Sequence, residues 1–348
     1  MTTPRRTTAF PPALRVLAWL SFLAEVIIIG TGGAVRLTGS GLGCSEWPLC
    51  TPGSLVPTQE LGVHGIIEFG NRTMTGLVGI LAIAVLLLTL ARVGSRRDVL
   101  RAVWFALAGI ALAVVAFALT QAFWVATSVL LVVTVLAAIV SVTAMAERRD
   151  LTVLAWIVVV GVVAQAFAGG ITVLTELNAF MVGFHYAASL VLVCVTAAYL
   201  VRLRGAPGPR ELAVPRWYAG LTHATSLVLA ATIFFGVLTT ANGPHSGDEN
   251  VVRSGFDATW LSHVHSWPGY ILLALALILA AAAWLQKLPT RPWSLVFLGA
   301  LVVQILVGVW QANAALPPVL VGIHMVLASL TAAAYVVVVL RLKTPVGA

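Results

Sequence analysis

Long apolar segments separated by short polar ones dominate the pattern along this chain. Ten segments are mainly apolar over about 20 residues, the length that an α-helix needs to cross the hydrocarbon core of a bilayer. They lie near residues 13–34, 63–91, 101–119, 123–146, 152–174, 181–202, 216–240, 260–285, 293–312 and 319–341. The apolar runs are continuous rather than alternating, which argues against the strands of a membrane barrel. The pattern therefore predicts an all-α integral membrane protein with ten transmembrane helices.

Composition supports this prediction, and charge orients the helices. Hydrophobic residues make up 60% of the 348 residues and charged residues only 9%, a balance typical of membrane proteins. The formal net charge of +8 could indicate nucleic acid binding, but the basic residues cluster in alternate loops. With a cytoplasmic amino terminus, all but three of the 20 Lys and Arg residues face the cytoplasm, the exceptions being Arg36, Arg72 and Arg253. This bias predicts cytoplasmic amino and carboxyl termini and no nucleic acid partner.

The amino-terminal segment, MTTPRRTTAFPPALR, is short and basic and runs directly into the first apolar segment. It shows no clear small-residue cleavage site of a secretory signal, so we expect the first helix to be retained. It also lacks the length and the Ser content of a transit peptide. We therefore expect a multi-pass protein of a bacterial plasma membrane.

Two parts of the chain carry the same signature at the same spacing. Gln165, Gly169, Val182, Gly183 and His185 recur, 139 residues further on, as Gln304, Gly308, Val321, Gly322 and His324. This internal repeat predicts two pseudo-symmetric four-helix bundles. Helices 1, 2, 5 and 6 form the first bundle, and helices 7 to 10 form the second.

Helices 3 and 4 are the part that the repeat does not include. They hold no ionisable residue between Arg101 and Glu147, so we expect a lipid-facing hairpin inserted into the first bundle. The predicted units are helices 1 and 2 (residues 1–98), the hairpin (99–150), the rest of the first bundle (151–210) and the second bundle (211–348).

Four histidines occupy corresponding places near the outer ends of their helices. They are His64 and His185 in the first bundle, and His265 and His324 in the second. An ionisable side chain within a membrane helix is costly and usually functional, and haem iron accepts one axial imidazole on each face. We therefore predict that each pair holds one haem; the alternative is hydrogen bonding to a neighbouring helix. The chain has no C-x-x-C-H motif, which excludes c-type attachment.

Helix 2 is the most polar of the membrane segments. His64, Glu68, Asn71 and Thr75 fall on one face of this helix. Glu68 either pairs with Arg72 one turn later or lines a cofactor pocket, where a carboxylate could move protons or stabilise developing positive charge. Helix 8 has no carboxylate at the matching place, so the two pockets are predicted to differ in role.

Three further features have roles that the sequence leaves open. Glu25 lies midway along helix 1, with no partner that the pattern identifies. Cys44 and Cys50 lie in an outer loop, where two nearby cysteines favour a disulfide that is either a simple staple or a redox-active pair. Trp47 and Trp260 fit the interfacial aromatic belt better than the edge of a haem.

Taken together, these motifs resemble those of the haem A synthase family. The motifs that carry the resemblance are VRLTGSGLGCSEWPLC (Val35–Cys50), IEFGNR (Ile67–Arg72), AGGITVL (Ala168–Leu174) and the histidines of helices 6, 8 and 10. The loop motif with its cysteine pair is the most specific of them. The resemblance covers every helix except the inserted pair.

The resemblance implies an enzyme that converts haem O to haem A by successive hydroxylation of a ring methyl to a formyl group. It implies a b-type haem cofactor bound by His265 and His324, and haem O as a substrate that faces His185. It also implies that Glu68 is the essential glutamate of the family. Haem O synthase is then an expected partner, together with an electron donor of unspecified class.

Two departures from the family pattern concern the first bundle. The family usually has a histidine three residues after the glutamate, where this chain has Asn71. His64 lies on the same face about 10 Å away by helical rise, and could replace the missing ligand to the substrate iron in a pocket that Asn71 and Arg72 also line. The second departure is the inserted pair, which gives ten helices where the family has eight. The family also has a loop disulfide, which Cys44 and Cys50 match.

Two other functions fit parts of the pattern. A two-haem b-type cytochrome that passes electrons to quinone would use the same histidines but would need no catalytic glutamate. A transporter would use a duplicated bundle, although the histidines lie toward the outer face instead of the bilayer midplane.

Overall fold

Helices account for most of the fold. The computed structural model describes residues 10–243, 245, 247–248, 251 and 257–346. Within these residues, ten helices are long and apolar enough to cross a membrane, which confirms the predicted all-α membrane architecture. They are α1 (Pro12–Leu37), α2 (Gly62–Val93), α3 (Arg96–Thr120), α4 (Phe123–Ala144), α5 (Arg149–Leu174), α6 (Ala179–Arg204), α7 (Arg216–Asn242), α8 (Ala258–Leu285), α9 (Arg291–Asn313) and α10 (Pro318–Leu340).

Most helices extend slightly past the predicted apolar segments, and at some of them polar residues satisfy the backbone of the first turn. The side chain of Asn178 accepts hydrogen bonds from the N–H groups of Phe180 and Met181 at the start of α6. Ser95 and Asp98 form a capping box at the start of α3, in which each side chain accepts from the backbone of the other. Hydropathy detects the membrane-spanning part of a helix and misses these polar first turns.

The helix contacts form two groups. In one group, α1 packs on α2 and α6, and α5 packs on α2 and α6; in the other, α8 packs on α7 and α9, and α9 packs on α10. The two groups meet where α10 contacts α1 and α6. Helices α3 and α4 pack mainly on each other and reach the first group through α5, and α3 is the least buried of the described helices. The predicted domain boundaries remain an inference from the sequence.

Ten crossings place the start of α1 and the end of α10 at the same end of the bundle, here called the terminal end. A small antiparallel ribbon lies at this end and joins β1 (Arg210–Leu212) to β2 (Lys343–Pro345), with Glu211 opposite Thr344. The opposite end carries the Cys44–Cys50 loop and is called the loop end. Arg253, which the charge pattern assigns to the loop end, falls outside the described residues.

Candidate functional site

A cavity of about 380 Å³ lies in the loop-end half of the first helix group. Its walls come mainly from α1, α2, α5 and α6, with smaller contributions from α7 and α10. Four of the residues that the sequence predicted for this pocket line it: Glu68, Asn71, Arg72 and His185. Ile28, Val78, Val162 and Leu192 are among the apolar residues that line its deeper part.

Glu68 and Arg72 connect the cavity wall to the disulfide loop. The guanidinium of Arg72 donates to Glu68 Oε1, at 3.1 Å from Nε and 2.5 Å from Nη2. It also donates to the carbonyls of Cys44, Glu46 and Leu49 at 3.0, 2.9 and 2.8 Å. Glu68 Oε2 accepts from the Cys44 N–H at 2.6 Å. Glu68 therefore pairs with Arg72 and also lies in the cavity wall.

The loop itself is folded inward against the helices. Cys44 and Cys50 are joined by a disulfide, as predicted, and both are fully buried. Trp47 lines the cavity and packs on α5, where a Cβ added at Gly170 would lie 2.7 Å from its ring. Trp47 is therefore part of the cavity wall and not of an interfacial belt, because Arg72 holds its loop over α2. Trp260 is 60% exposed, as a residue of the belt would be.

His185 and Asn71 line this cavity from different helices. The Nδ1 atom of His185 is buried and has no hydrogen-bond partner among the described residues, while Gly169 packs on the His185 ring. Asn71 is held by Thr31, whose hydroxyl donates to Asn71 Oδ1 at 2.8 Å. A buried imidazole nitrogen without a partner is unusual and fits a group that binds a ligand in this cavity.

The structure does not bring His64 to the cavity. His64 is exposed in the first turn of α2, and its Nδ1 lies 3.0 Å from the Ser40 hydroxyl. The helical period places His64 on the same face as Asn71, but seven residues of helical rise put it about 10 Å nearer the loop end. The expectation that His64 replaces the missing histidine therefore has no support in the geometry.

His265 and His324 come together in the second helix group. Their ring centres are 6.3 Å apart and the ring planes are at 87°. A bond between a metal and an imidazole nitrogen is about 2 Å long. Each ring centre lies about 1.1 Å beyond its nitrogen, because the ring bonds are about 1.33 Å long. Two imidazoles on opposite sides of one metal would therefore have ring centres about 6 Å apart. The observed spacing fits a single iron held between these two residues.

The surroundings of the two rings also suit metal binding. His265 Nδ1 lies 2.9 Å from the Thr232 carbonyl, which can only accept, so Nδ1 carries the proton and Nε2 is the potential ligand. This is the usual arrangement for a metal-binding histidine. His324 Nδ1 is buried and has no partner among the described residues. His324 Nε2 accepts from Gln304 Nε2 at 3.2 Å, so this amide must move aside before Nε2 can bind a metal. The donor set therefore fits a b-type haem, which binds through axial imidazoles.

Gly308 is predicted to be essential for this pair of histidines. A Cβ added at Gly308 would lie 2.9 Å from Cε1 of His324, so Gly308→Ala should displace the ring. We expect a severalfold lower haem content and a stability loss of about 1–3 kcal/mol, measured by the haem absorption band per protein and by thermal unfolding. Gly299→Ala on the same helix is the matched control, because nothing lies within 4 Å of that Cβ. Equal haem content in the two variants would contradict the prediction.

Several residues of the site had no assigned role in the sequence analysis. The hydroxyl of Thr31 holds Asn71, and the backbone carbonyl of Thr232 accepts from His265. Neither threonine belongs to a motif that the sequence analysis identified. Tyr186 donates from its hydroxyl to the carbonyl of Met325 at 3.0 Å, and both residues line the cavity. Tyr186 comes directly after His185, and Met325 comes directly after His324. The two residues are therefore equivalent positions of the internal repeat, which was a signal in the sequence that could have drawn attention to this pair.

The comparison with protein families matches the part of the chain that holds α1, the disulfide loop, α2 and α3. Residues 15–128 match the family model described as "Cytochrome oxidase assembly protein". The chain is 41% identical over 83 residues to "Heme A synthase" of Exiguobacterium sibiricum, covering 24% of this chain and 27% of that protein. It is 36% identical over 87 residues to the protein of the same name from Bacillus licheniformis, covering 25% and 28%.

These matches have a limited extent. The aligned part spans less than a third of the length of each of these relatives. The family match runs through α3 and ends within α4, so it does not mark out the predicted hairpin as an insertion. Over the matched residues, the resemblance to the haem A synthase family that the motifs predicted is confirmed.

Proposed function

We propose that this protein is a membrane oxidase that converts haem O to haem A by successive hydroxylation of a ring methyl to a formyl group. The observation that carries the proposal is the combination of two sites in one chain. One is a cavity whose wall includes Glu68 and His185, next to a loop and helix that resemble those of haem A synthases. The other is a separate pair of histidines at the spacing of one iron.

The two sites would have different roles. His265 and His324 would hold a b-type haem, which supplies one-electron transfer when it is bound. The cavity would receive haem O as the substrate, with His185 beside it and Asn71 where the family has a histidine. The contact of Tyr186 with Met325 supports a direct structural connection between the two sites.

Arg72 would hold the carboxylate of Glu68 in place, and the negative charge of Glu68 would act on the substrate. Since the carboxylate of Glu68 accepts from both Arg72 and the Cys44 N–H, it is held in one orientation in the cavity wall. A preorganised carboxylate of this kind can stabilise positive charge that develops on a substrate. The same hydrogen bonds keep the disulfide loop against the cavity, which supports a structural role for Cys44 and Cys50.

The proposed location is a bacterial plasma membrane, with both termini in the cytoplasm. The basic residues support this orientation, because Arg96, Arg97, Arg148, Arg149 and Lys343 all lie at the terminal end of the described helices. The loop end would then face the outside, where a disulfide persists. An enzyme that supplies haem O and a membrane-bound electron donor are the partners that this function requires.

The visible absorption spectrum and the extracted haems of the purified protein test this proposal. We expect a b-type haem band and, with haem O and a reductant supplied in air, a formyl-bearing haem in the extract. A b-type cytochrome that only carries electrons would give the band without the formyl product. A transporter would give neither, so either result would refute the proposed reaction.

Glu68→Gln is expected to separate binding from conversion. The amide can still accept from the Cys44 N–H, but the negative charge is lost, so haem should remain bound while formation of haem A slows at least about tenfold. Glu60→Gln, at an exposed position before α2, is the control. Wild-type yields of haem A from Glu68→Gln would remove this carboxylate from the mechanism.

A further inference from the structure

Glu25 is a buried carboxyl that has no role in the reaction proposed above. It lies midway along α1, is 2% exposed and lines the cavity. Its Oε1 atom has no hydrogen-bond partner among the described residues. A carboxyl at this depth in a membrane is costly and typically belongs to a binding site or a proton relay.

A second, much smaller void continues the line of the cavity toward the terminal end. Its volume is about 10 Å³, close to the space that one water molecule needs. Ser21, Thr196 and Tyr199 provide its polar lining. Four helices line both spaces. On each of them, a residue of the void lies one turn nearer the terminal end than a residue of the cavity: Ser21 and Glu25, Ala82 and Val78, Val158 and Val162, and Thr196 and Leu192. The void therefore lies about 6 Å below the cavity floor.

Polar groups extend from this void to the surface. The hydroxyl of Tyr199 lies 2.6 Å from Thr89 Oγ1, and both residues are buried. At the terminal end, Arg148 and Asp150 pair with each other at 3.2 Å. The side chain of Asp150 is 38% exposed at the terminal end. Polar side chains thus stand at successive levels between that surface and Glu25, in a helix core that is otherwise apolar.

The other carboxyl of the cavity cannot easily take this role. Both oxygens of Glu68 accept hydrogen bonds, from Arg72 and from the Cys44 N–H, and protonation of Glu68 would oppose the ion pair. Glu25 and Glu68 are the two acidic residues among the described residues of the cavity wall. Glu25 is therefore the acid in this wall that can release and regain a proton without breaking an ion pair.

We infer that Glu25 is the proton-relay residue of the cavity and is reprotonated from the terminal end through the void and Tyr199. This inference rests on the proposed function, because insertion of one oxygen atom from dioxygen into a C–H bond takes up two electrons and two protons and releases one water. The electrons come from the membrane-bound donor. The O–H bond of Glu25 breaks as its proton passes to an oxygen atom in the cavity, and the carboxylate then takes a proton from water in the void.

The experiment combines turnover with a measurement that needs no activity. Glu25→Gln is expected to keep the haem spectrum and haem O binding but to slow formation of haem A at least about tenfold, and Glu25→Asp should restore part of the rate. Tyr199→Phe and Ser21→Ala should slow it severalfold, with a larger solvent deuterium isotope effect. Tyr335→Phe is the matched control, because it removes a buried tyrosine hydroxyl from the second helix group.

Independently, dicyclohexylcarbodiimide, an apolar reagent that couples to protonated carboxyls, should modify Glu25 in the purified wild-type protein. Peptide mass spectrometry locates the adduct. Failure to modify Glu25, or full turnover of Glu25→Gln, would overturn the relay. Slow turnover of Glu25→Gln with a normal rate and isotope effect in both Tyr199→Phe and Ser21→Ala would overturn the route through the void. A wild-type protein that forms no haem A would instead refute the proposed function, while labelling would still decide whether Glu25 is a protonated, accessible acid.

Discussion

His324→Ala should purify without the b-type haem that we propose for the second helix group, and His265→Ala should do the same. Each ring supplies one side of a pair whose centres are 6.3 Å apart, and an iron with two axial imidazoles loses half of its protein ligands when either is removed. We expect at least about a tenfold fall in bound haem, read from the absorption band and from extracted haem per protein. Haem O binding in the first helix group should persist, because neither histidine lines that cavity.

His263→Ala is the matched control for these variants. His263 lies on the same helix two residues before His265, but it is exposed, and one helix cannot direct both rings to the same partner. Its replacement should leave the haem content unchanged. Full haem content in His324→Ala would contradict the assignment of the second site.

Arg72→Ala should strongly destabilise the protein. The guanidinium holds Glu68 and the carbonyls of Cys44, Glu46 and Leu49. Its loss leaves a buried carboxylate with one remaining donor, which costs about 3–5 kcal/mol. We expect a lower unfolding temperature in detergent and faster reduction of the disulfide by a hydrophilic thiol.

Two further variants test the cause of that loss. Arg72→Lys keeps the charge but not the planar fork that reaches several carbonyls, so its effect should be intermediate. Arg101→Ala removes a cation that pairs with Asp98 at 3.5 Å and is 43% exposed, and it should change stability by less than about 1 kcal/mol. Equal unfolding temperatures for Arg72→Ala and Arg101→Ala would show that the loop does not depend on Arg72.

The fold was predictable because membrane helices reveal themselves by length and composition. The apolar segments gave the number of helices, but their ends depended on capping groups such as Asn178 and Ser95, whose effect lies outside the apolar pattern. The short ribbon of β1 and β2 could not be foreseen, since three residues carry no clear period. Its strands are also far apart in the sequence.

The sequence predicted which face of α2 lines the candidate site, but not how far along the helix the cavity extends. Helical periodicity correctly placed Glu68 and Asn71 on one face, whereas it also included His64, which lies one turn beyond Glu68 and outside the cavity. The bonds that fix the site involve backbone carbonyls of the loop and of Thr232, and a carbonyl has no residue signature. The position of Glu25 above a void depends on four helices packed side by side, which no single segment encodes.

The ribbon at the terminal end has a consequence for the order of assembly during synthesis. The Ala213 N–H donates to the Leu342 carbonyl at 2.9 Å, and the Val346 N–H donates to the Pro209 carbonyl at 3.1 Å. The linker between α6 and α7 thus leaves the ribosome long before the strand that pairs with it. The first six helices must therefore enter the bilayer with this linker open, and it can close only after residues 342–346 have been translated.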